Sequence, residues 1–378
     1  MRRLLPLLRW GGLSLILVLF VARAVKTALE LAAVQPLGVD FLPMWTGARM
    51  AWETPQLIYD FDAVTAAQDW LMAGWSRLRP FVYPPSALPA LSPFAALPFY
   101  WGYALWTVLG AILVAGATAA AVKSQRLMAV GFVLLSPPGS LAIIVGQSTL
   151  LVAGCLTLAV TQLARRPYLA GALFGLAAAI KPQAAVLAPV ALVAAREWKA
   201  LAASIVTGAG LGLVSLAMVG WQPWLAWLES LPRFAELITL SPSHMRGGVT
   251  LTMMGVNLGL DHGLLSGMRL AALLLALAGT WLAFARSQDP AYRLAALGAG
   301  ALAIMPYAMH YEATLLAPAA VLMALSPHRW LFGAAAVASL ALAVKHQLGG
   351  GALIAVAFCA VMAALYERYR NGAGNSRS

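Results

Sequence analysis

The stretch Trp10-Gly11-Gly12-Leu13-Ser14-Leu15-Ile16-Leu17-Val18-Leu19-Phe20-Val21-Ala22 opens an apolar run that reaches about Ala28, and Arg2, Arg3 and Arg9 stand before it. A basic flank followed by such a run belongs to either a cleaved signal peptide or a membrane anchor. Runs of the same kind recur to the end of the chain, among them Tyr103 to Val122, Leu264 to Ala285 and Gly351 to Tyr366. The first is therefore read as an uncleaved signal anchor with a cytoplasmic N-terminus, and the fold class as an all-α polytopic membrane protein.

Composition gives the same answer. Of 378 residues, 62% are hydrophobic, and only 25 are Lys or Arg and 13 Asp or Glu. Soluble chains carry roughly a quarter charged residues. The runs are unbroken rather than alternating, which excludes a membrane β-barrel. A net charge of +12 would indicate nucleic acid in a soluble chain; here it is read as topology bias, with no nucleic-acid partner. Cys155 and Cys359 lie inside apolar segments, where neither a disulfide framework nor a thiolate metal cluster is expected.

Working outward, the polar breaks between runs alternate. Arg165-Arg166, Arg196/Lys199, Arg286/Arg293, Arg329 and Arg368/Arg370 mark cytoplasmic turns, whereas the intervening turns hold Lys181-Pro182-Gln183, His310-Tyr311-Glu312 and Lys345-His346. Of the 13 acids, all but Glu197, Asp289 and Glu367 fall on the outer side. The reading is one membrane domain, 1–378, with about twelve spans and both termini cytoplasmic. Residues 29–84 form a structured first outer loop with short helices near Pro43 to Glu53 and Asp62 to Leu71; 221–262 form a second, and 371–378 a disordered tail. Pro84 to Phe99 is expected to cross. Leu127 to Val145, broken by Ser136-Pro137-Pro138-Gly139, is expected to dip in from the outer face as two half-helices, leaving Lys123 and Arg126 outside against the charge rule.

The outer face is where chemistry is sought. Asp40 stands just past the first span; at the rim of an apolar cavity its carboxylate would be a usable base unless a cation offsets the desolvation, and its competing role is a helix cap. In Tyr59-Asp60-Phe61-Asp62 the carboxylates read first as caps and turn-formers. Tyr83, before Pro84-Pro85, is an interfacial anchor or a site residue. Gln147 and Lys181 put polar groups at the ends of apolar spans, and Lys181 either snorkels or holds an anion such as a lipid phosphate. His310 could hydrogen-bond phosphate, with Glu312 setting its tautomer. His244, Arg246, Lys345 and His346 are weaker candidates, and Trp221, Trp224 and Trp227 read as an interfacial belt.

Several segments together resemble glycosyltransferase family 87, the polyprenol-phosphate-mannose-dependent mannosyltransferases of the GT-C superfamily. They are Gly38-Val39-Asp40-Phe41, Thr46-Gly47-Ala48-Arg49, Leu57-Ile58-Tyr59-Asp60, Tyr83-Pro84-Pro85, Gly146-Gln147, the glycine-rich Gly171 to Gly175 leading to Lys181-Pro182, and His310. Glu312 departs from the aspartate expected near that histidine. The resemblance implies a GT-C fold and an inverting transfer at the outer face of the cell's inner (plasma) membrane, from a polyprenyl-phosphate sugar to a lipid or glycan hydroxyl. Asp40 would be the general base, and His310 and Lys181 would stabilise the departing phosphate; Arg49, Tyr59, Asp60, Tyr83, Gln147 and Glu312 are further candidate site residues. No nucleotide or metal cofactor is demanded. A transporter or lipid flippase, or a non-catalytic lipid-binding homologue, would share this composition.

Overall fold

A computed structural model of the chain describes residues 4–72, 79–344 and 348–375, so Lys345 and His346 lie outside the described residues. Those residues are helical almost throughout, with one isolated bridge, Gly248 to Met309. Helix α1 (Leu4–Ala32) is long enough to cross hydrocarbon. The first loop then folds as α2 (Leu42–Glu53), α3 (Phe61–Ala66) and α4 (Asp69–Met72). Pro43 sits in the first turn of α2, where its missing N–H costs nothing. The helix expected over Asp62 to Leu71 is split at Ala67-Gln68, and the Gln68 side chain donates to the Arg79 carbonyl at 3.0 Å.

The segment expected to cross from Pro84 does not. After a 3-10 turn at Pro85–Ala87 comes α5 (Leu88–Ala95), which at 8 residues rises only about 12 Å. Its chain returns to the loop it left: Ser86 donates to the Ala179 carbonyl on the way in, and Trp45 of α2 to the Leu97 carbonyl on the way out. The traverse is made by α6 (Phe99–Ala121), 23 residues long.

The second correction follows. Because α6 starts beside the first loop, its far end carries Lys123 and Arg126 to the opposite end of the bundle. From there α7 (Arg126–Leu135) and α8 (Pro137–Val145) climb back as one helix pair bent by 65° at Ser136, not as half-helices dipping from the outer face. Pro137 cannot donate to the preceding turn, and the Ser136 hydroxyl accepts from the Gly139 N–H in its place.

The remaining traverses are α9 (Thr149–Gln162), α10 (Pro167–Ile180), the pair α11 (Pro182–Ala185) and α12 (Ala188–Ala194), and α13 (Trp198–Val219). The second loop is helical too, as α14 (Gln222–Thr239), α15 (Pro242–Arg246) and α16 (Leu251–Asn257). Then come α17 (His262–Arg286), α18 (Pro290–Ile304), a 3-10 turn His310–Leu316 running into α19 (Ala317–Ala324), α20 (Trp330–Ser339) and α21 (Gly350–Asn375). The last helix has no proline to stop it and continues to Asn375, inside the stretch expected to be a disordered tail. Among the described residues, five helices are long and apolar enough to cross alone, six with the bent pair, and Thr149–Gln162, Pro167–Ile180, Pro182–Ala194, Pro290–Ile304 and Trp330–Val344 are shorter apolar helical segments. The outward faces of α1, α13 and α17 are apolar and uncovered, as lipid contact requires.

Close approaches fix the directions. A Cβ on Gly110 of α6 would meet Leu150 of α9, and one on Gly154 would meet Leu113, so these two helices run parallel. The bundle therefore has two distinct ends. One gathers Arg9, which donates to the Leu325 carbonyl at 2.8 Å, and Arg329, paired with Asp289 at 2.7 Å and Glu367 at 3.3 Å. The other holds the first loop.

Candidate functional site

Asp40 lies in the turn between α1 and α2, and its backbone is tied to the end of α8. The N–H groups of Asp40 and Phe41 are donated to the Val145 carbonyl at 2.8 and 3.1 Å, and that of Gly38 to Ile144 at 3.0 Å. Gly146, which ends α8, has φ of 77°, and a Cβ there would come within 2.7 Å of Phe41 and 2.9 Å of Tyr103. Only glycine satisfies both the left-handed backbone and that spacing.

The side chain is fully engaged. Arg79 Nη1 pairs with Asp40 Oδ1 at 2.5 Å, and Gln147 Nε2 donates to Oδ2 at 3.3 Å. Arg79 is thus a cation of the kind that offsets desolvation at an apolar rim, and Asp40 can act as a base only when that pairing is loosened. Its Nη2 also donates to Gln35 at 3.3 Å, while its Nε is buried with no hydrogen-bond partner among the described residues. Behind Gln147, the Tyr83 hydroxyl donates to its Oε1 at 3.3 Å and lies 3.0 Å from Ser148 Oγ. Burial pushes the Tyr83 phenol well above its ordinary value, so it stays protonated.

Tyr83 is placed by its own stretch of chain. Residues 81–84 are outside any helix, and Pro84 is extended ahead of Pro85. Phe81 is buried against Gly47, the Tyr59 hydroxyl donates to the Tyr83 carbonyl at 2.7 Å, and Trp227 of α14 donates to the Val82 carbonyl at 3.2 Å. Trp227 is therefore a tie between the two outer loops, whereas Trp221 remains exposed as a belt residue would be.

Next to this lies a second buried group. Pro182 breaks α10 from α11, and Lys181 at the break pairs with Glu312, which also accepts from Thr149 Oγ1 at 2.8 Å; Lys181 donates to Thr149 at 3.2 Å. The side chains of Lys181 and Glu312 are 7% and 6% exposed, against 19% and 14% for Arg79 and Asp40, so the first pair is sealed and the second is reachable. Glu312 thus binds the lysine rather than standing as a separate acid. Tyr311 is within electrostatic reach of Asp40, Glu312, Tyr83 and Arg79, so the two groups make one polar patch.

His310 enters the same end from the 3-10 turn. Its Nδ1 faces the Ala343 carbonyl at 2.7 Å, which makes Nδ1 the protonated nitrogen, and its Nε2 side packs against Gly247. Three candidates fall elsewhere. Asp60 is the cap of α3, accepting from the N–H groups of Asp62 and Ala63 at 3.0 and 2.9 Å. Tyr59 is a buried support for Tyr83. Arg49 stacks over Trp45 and faces Glu53 at 3.8 Å, lining a separate cleft of about 610 Å³ with Trp70 and Phe99.

Arg79 and Thr149 join the site without having been singled out in the sequence, while Ser148 comes with Gln147 as a polar group at the end of an apolar span. The signal for Arg79 was its position, as one of few bases in an acid-rich loop and four residues before Tyr83.

Fold and site together define a polytopic membrane protein with a buried polar patch at one end. The chain matches glycosyltransferase family 87 over residues 81–309, more than half its length, and it belongs to that family: it is a membrane glycosyltransferase. The match takes in Tyr83, Gln147 and Lys181, whereas Asp40, Arg79, His310 and Glu312 lie outside it. No curated protein and no solved structure matches the chain.

Proposed function

We propose that this glycosyltransferase takes a mannosyl or related sugar from a polyprenyl-phosphate donor and passes it, with inversion, to a lipid or glycan hydroxyl, with Asp40 as general base. One observation carries this reading. The reachable carboxylate of Asp40 sits at the lipid-embedded bundle's polar end, held by Arg79 and Gln147. A donor with a polyprenyl tail in the bilayer would present its sugar phosphate at that depth, and removing the acceptor proton there contributes typically 10²–10⁴-fold.

In this assignment His310 contacts the donor phosphate. The buried Lys181–Glu312 pair is a neutral floor of the patch, so Lys181 acts on the phosphate only through the dipole of that pair. The arginine-rich end is cytoplasmic by the positive-inside rule, and the polar patch faces the periplasm or exterior of the plasma membrane. With α7 and α8 as one crossing, α11 with α12 as one, the His310–Leu316 turn with α19 as one, and α5 as none, the chain crosses twelve times.

The test is transfer from radiolabelled polyprenyl-phosphate-mannose to extracted cell lipids and glycans. Asp40→Asn is expected to lower the rate about 10³-fold while the protein folds and inserts normally. A folded variant that transfers at the wild-type rate removes Asp40 from the mechanism. Labelling of a single cysteine at Lys123 checks topology: it should react only from the cytoplasmic side.

A further inference from the structure

We propose that Arg79 is the donor-phosphate cation and that it is shared between that phosphate and Asp40, so that the lipid phosphate frees the base by drawing on the base's own counter-ion. The inference rests on the polyprenyl-phosphate reading above and goes beyond it by naming the cation and how it is released.

Three observations lead here. Among the described residues, Arg79 and Lys181 of the patch are each paired with a carboxylate, so a phosphate drawn to either must compete for it. Lys181 is the costlier choice: it is sealed, and taking it would strand Glu312 as an unpaired buried charge. Arg79 is reachable, and its planar guanidinium has donors left over. Nη1 holds Asp40 and Nη2 holds Gln35 at a long 3.3 Å, and Nε, though buried, has no partner among the described residues. An arginine has five N–H donors in a fixed fork, which suits bridging a carboxylate and a phosphate at once.

The charge flow of the reaction supplies the reason. The acceptor oxygen bonds to the anomeric carbon as the bond from that carbon to the phosphate oxygen breaks, and the bonding pair leaves on the phosphate. The acceptor proton passes to Asp40. A phosphodiester of charge −1 thus becomes a phosphomonoester able to carry −2, and the Asp40 carboxylate becomes neutral. One unit of negative charge moves from Asp40 to the phosphate, and a cation in reach of both stays paired from start to finish. Its hold on the phosphate strengthens as the bond breaks, which is the difference that lowers a barrier.

The proposal predicts a binding order opposite to that of a simple active-site lesion. Binding of geranylgeranyl phosphate to the detergent-solubilised full chain is measured for wild type, Asp40→Asn, Arg79→Gln and Arg79→Lys, with thermal unfolding run on each. Asp40→Asn keeps the shape and removes the competing charge, so it should bind about tenfold tighter than wild type. Arg79→Gln should bind about tenfold weaker, Arg79→Lys in between, and the double variant Asp40→Asn/Arg79→Gln should lose the gain. Inorganic phosphate competing in the same order assigns the effect to the phosphate and not to the prenyl tail. Equal or weaker binding by folded Asp40→Asn overturns the proposal, as does wild-type binding by Arg79→Gln, or by Arg79→Lys should the glutamine variant not fold, or no saturable binding by any form. Because binding is read without transfer, this order can hold even if no polyprenyl-phosphate sugar serves as donor; the proposed function then fails, and Arg79 remains a cation shared between Asp40 and a prenyl phosphate but not one that acts on a donor.

Discussion

The two ends of the bundle are each held by carboxylate–cation contacts, yet they are built differently. At the arginine-rich end, Arg329 takes Asp289 and Glu367 together, and Asp289 also caps α18, so the group ties α18, α20 and α21 into one clamp. In the polar patch at the other end Arg79 and Lys181 each have a single carboxylate, and between the two pairs lie neutral groups, Gln147, Tyr83, Ser148 and Thr149. A clamp satisfies its charges locally. A string of neutral groups keeps two opposite charges apart from two others, and leaves one pair reachable. The difference separates structure from chemistry more clearly than burial does, since the carboxylates of the Arg329 clamp are more exposed than Asp40 is.

Three substitutions test that contrast. Lys181→Ala should be the most damaging to stability, costing about 3–5 kcal/mol, because it leaves Glu312 buried and unpaired; Lys181→Met with Glu312→Leu should restore most of the loss in thermal unfolding. If the double change restores nothing, the pair is not the neutral floor described above. Arg329→Ala should cost less, about 2 kcal/mol, since Asp289 and Glu367 at the bundle's end can rehydrate. Transfer per folded molecule should be unchanged, and a specific loss of activity would show the clamp to be coupled to the site. Asp60→Ala should cost about 1 kcal/mol, the value of a helix cap, and leave transfer intact; a large activity loss in folded protein would return Asp60 to the site.

Much of this was legible in the chain itself. Unbroken apolar runs and alternating basic turns give an all-helical membrane bundle, and the motif order around Asp40, Tyr83, Gln147 and Lys181 picks out the residues that cluster at one end. What could not be read was pairing at a distance. Asp40 meets Arg79 across 39 positions and Lys181 meets Glu312 across 131, and no local period links them. The Pro84 to Phe99 segment failed for a different reason. Its hydropathy is that of a span, but hydropathy does not distinguish a crossing from a short buried helix that turns back, and only the Trp45 contact with Leu97 reveals the return. Once α5 does not cross, Lys123 and Arg126 stop being exceptions.

The bend between α7 and α8 has one more effect. By swinging the end of α8 under the first loop, it turns three carbonyl groups, those of Ile143, Ile144 and Val145, into a peg-board on which Gly38, Asp40, Phe41 and the hydroxyl of Tyr103 are hung. The proposed base therefore rides on the bundle, although by sequence it belongs to a loop. Residues 54–72 reach Asp40 only through its side-chain partners, by the Tyr59 contact with Tyr83 and the Gln68 contact with Arg79, whereas straightening one proline-bent helix would displace its backbone at once.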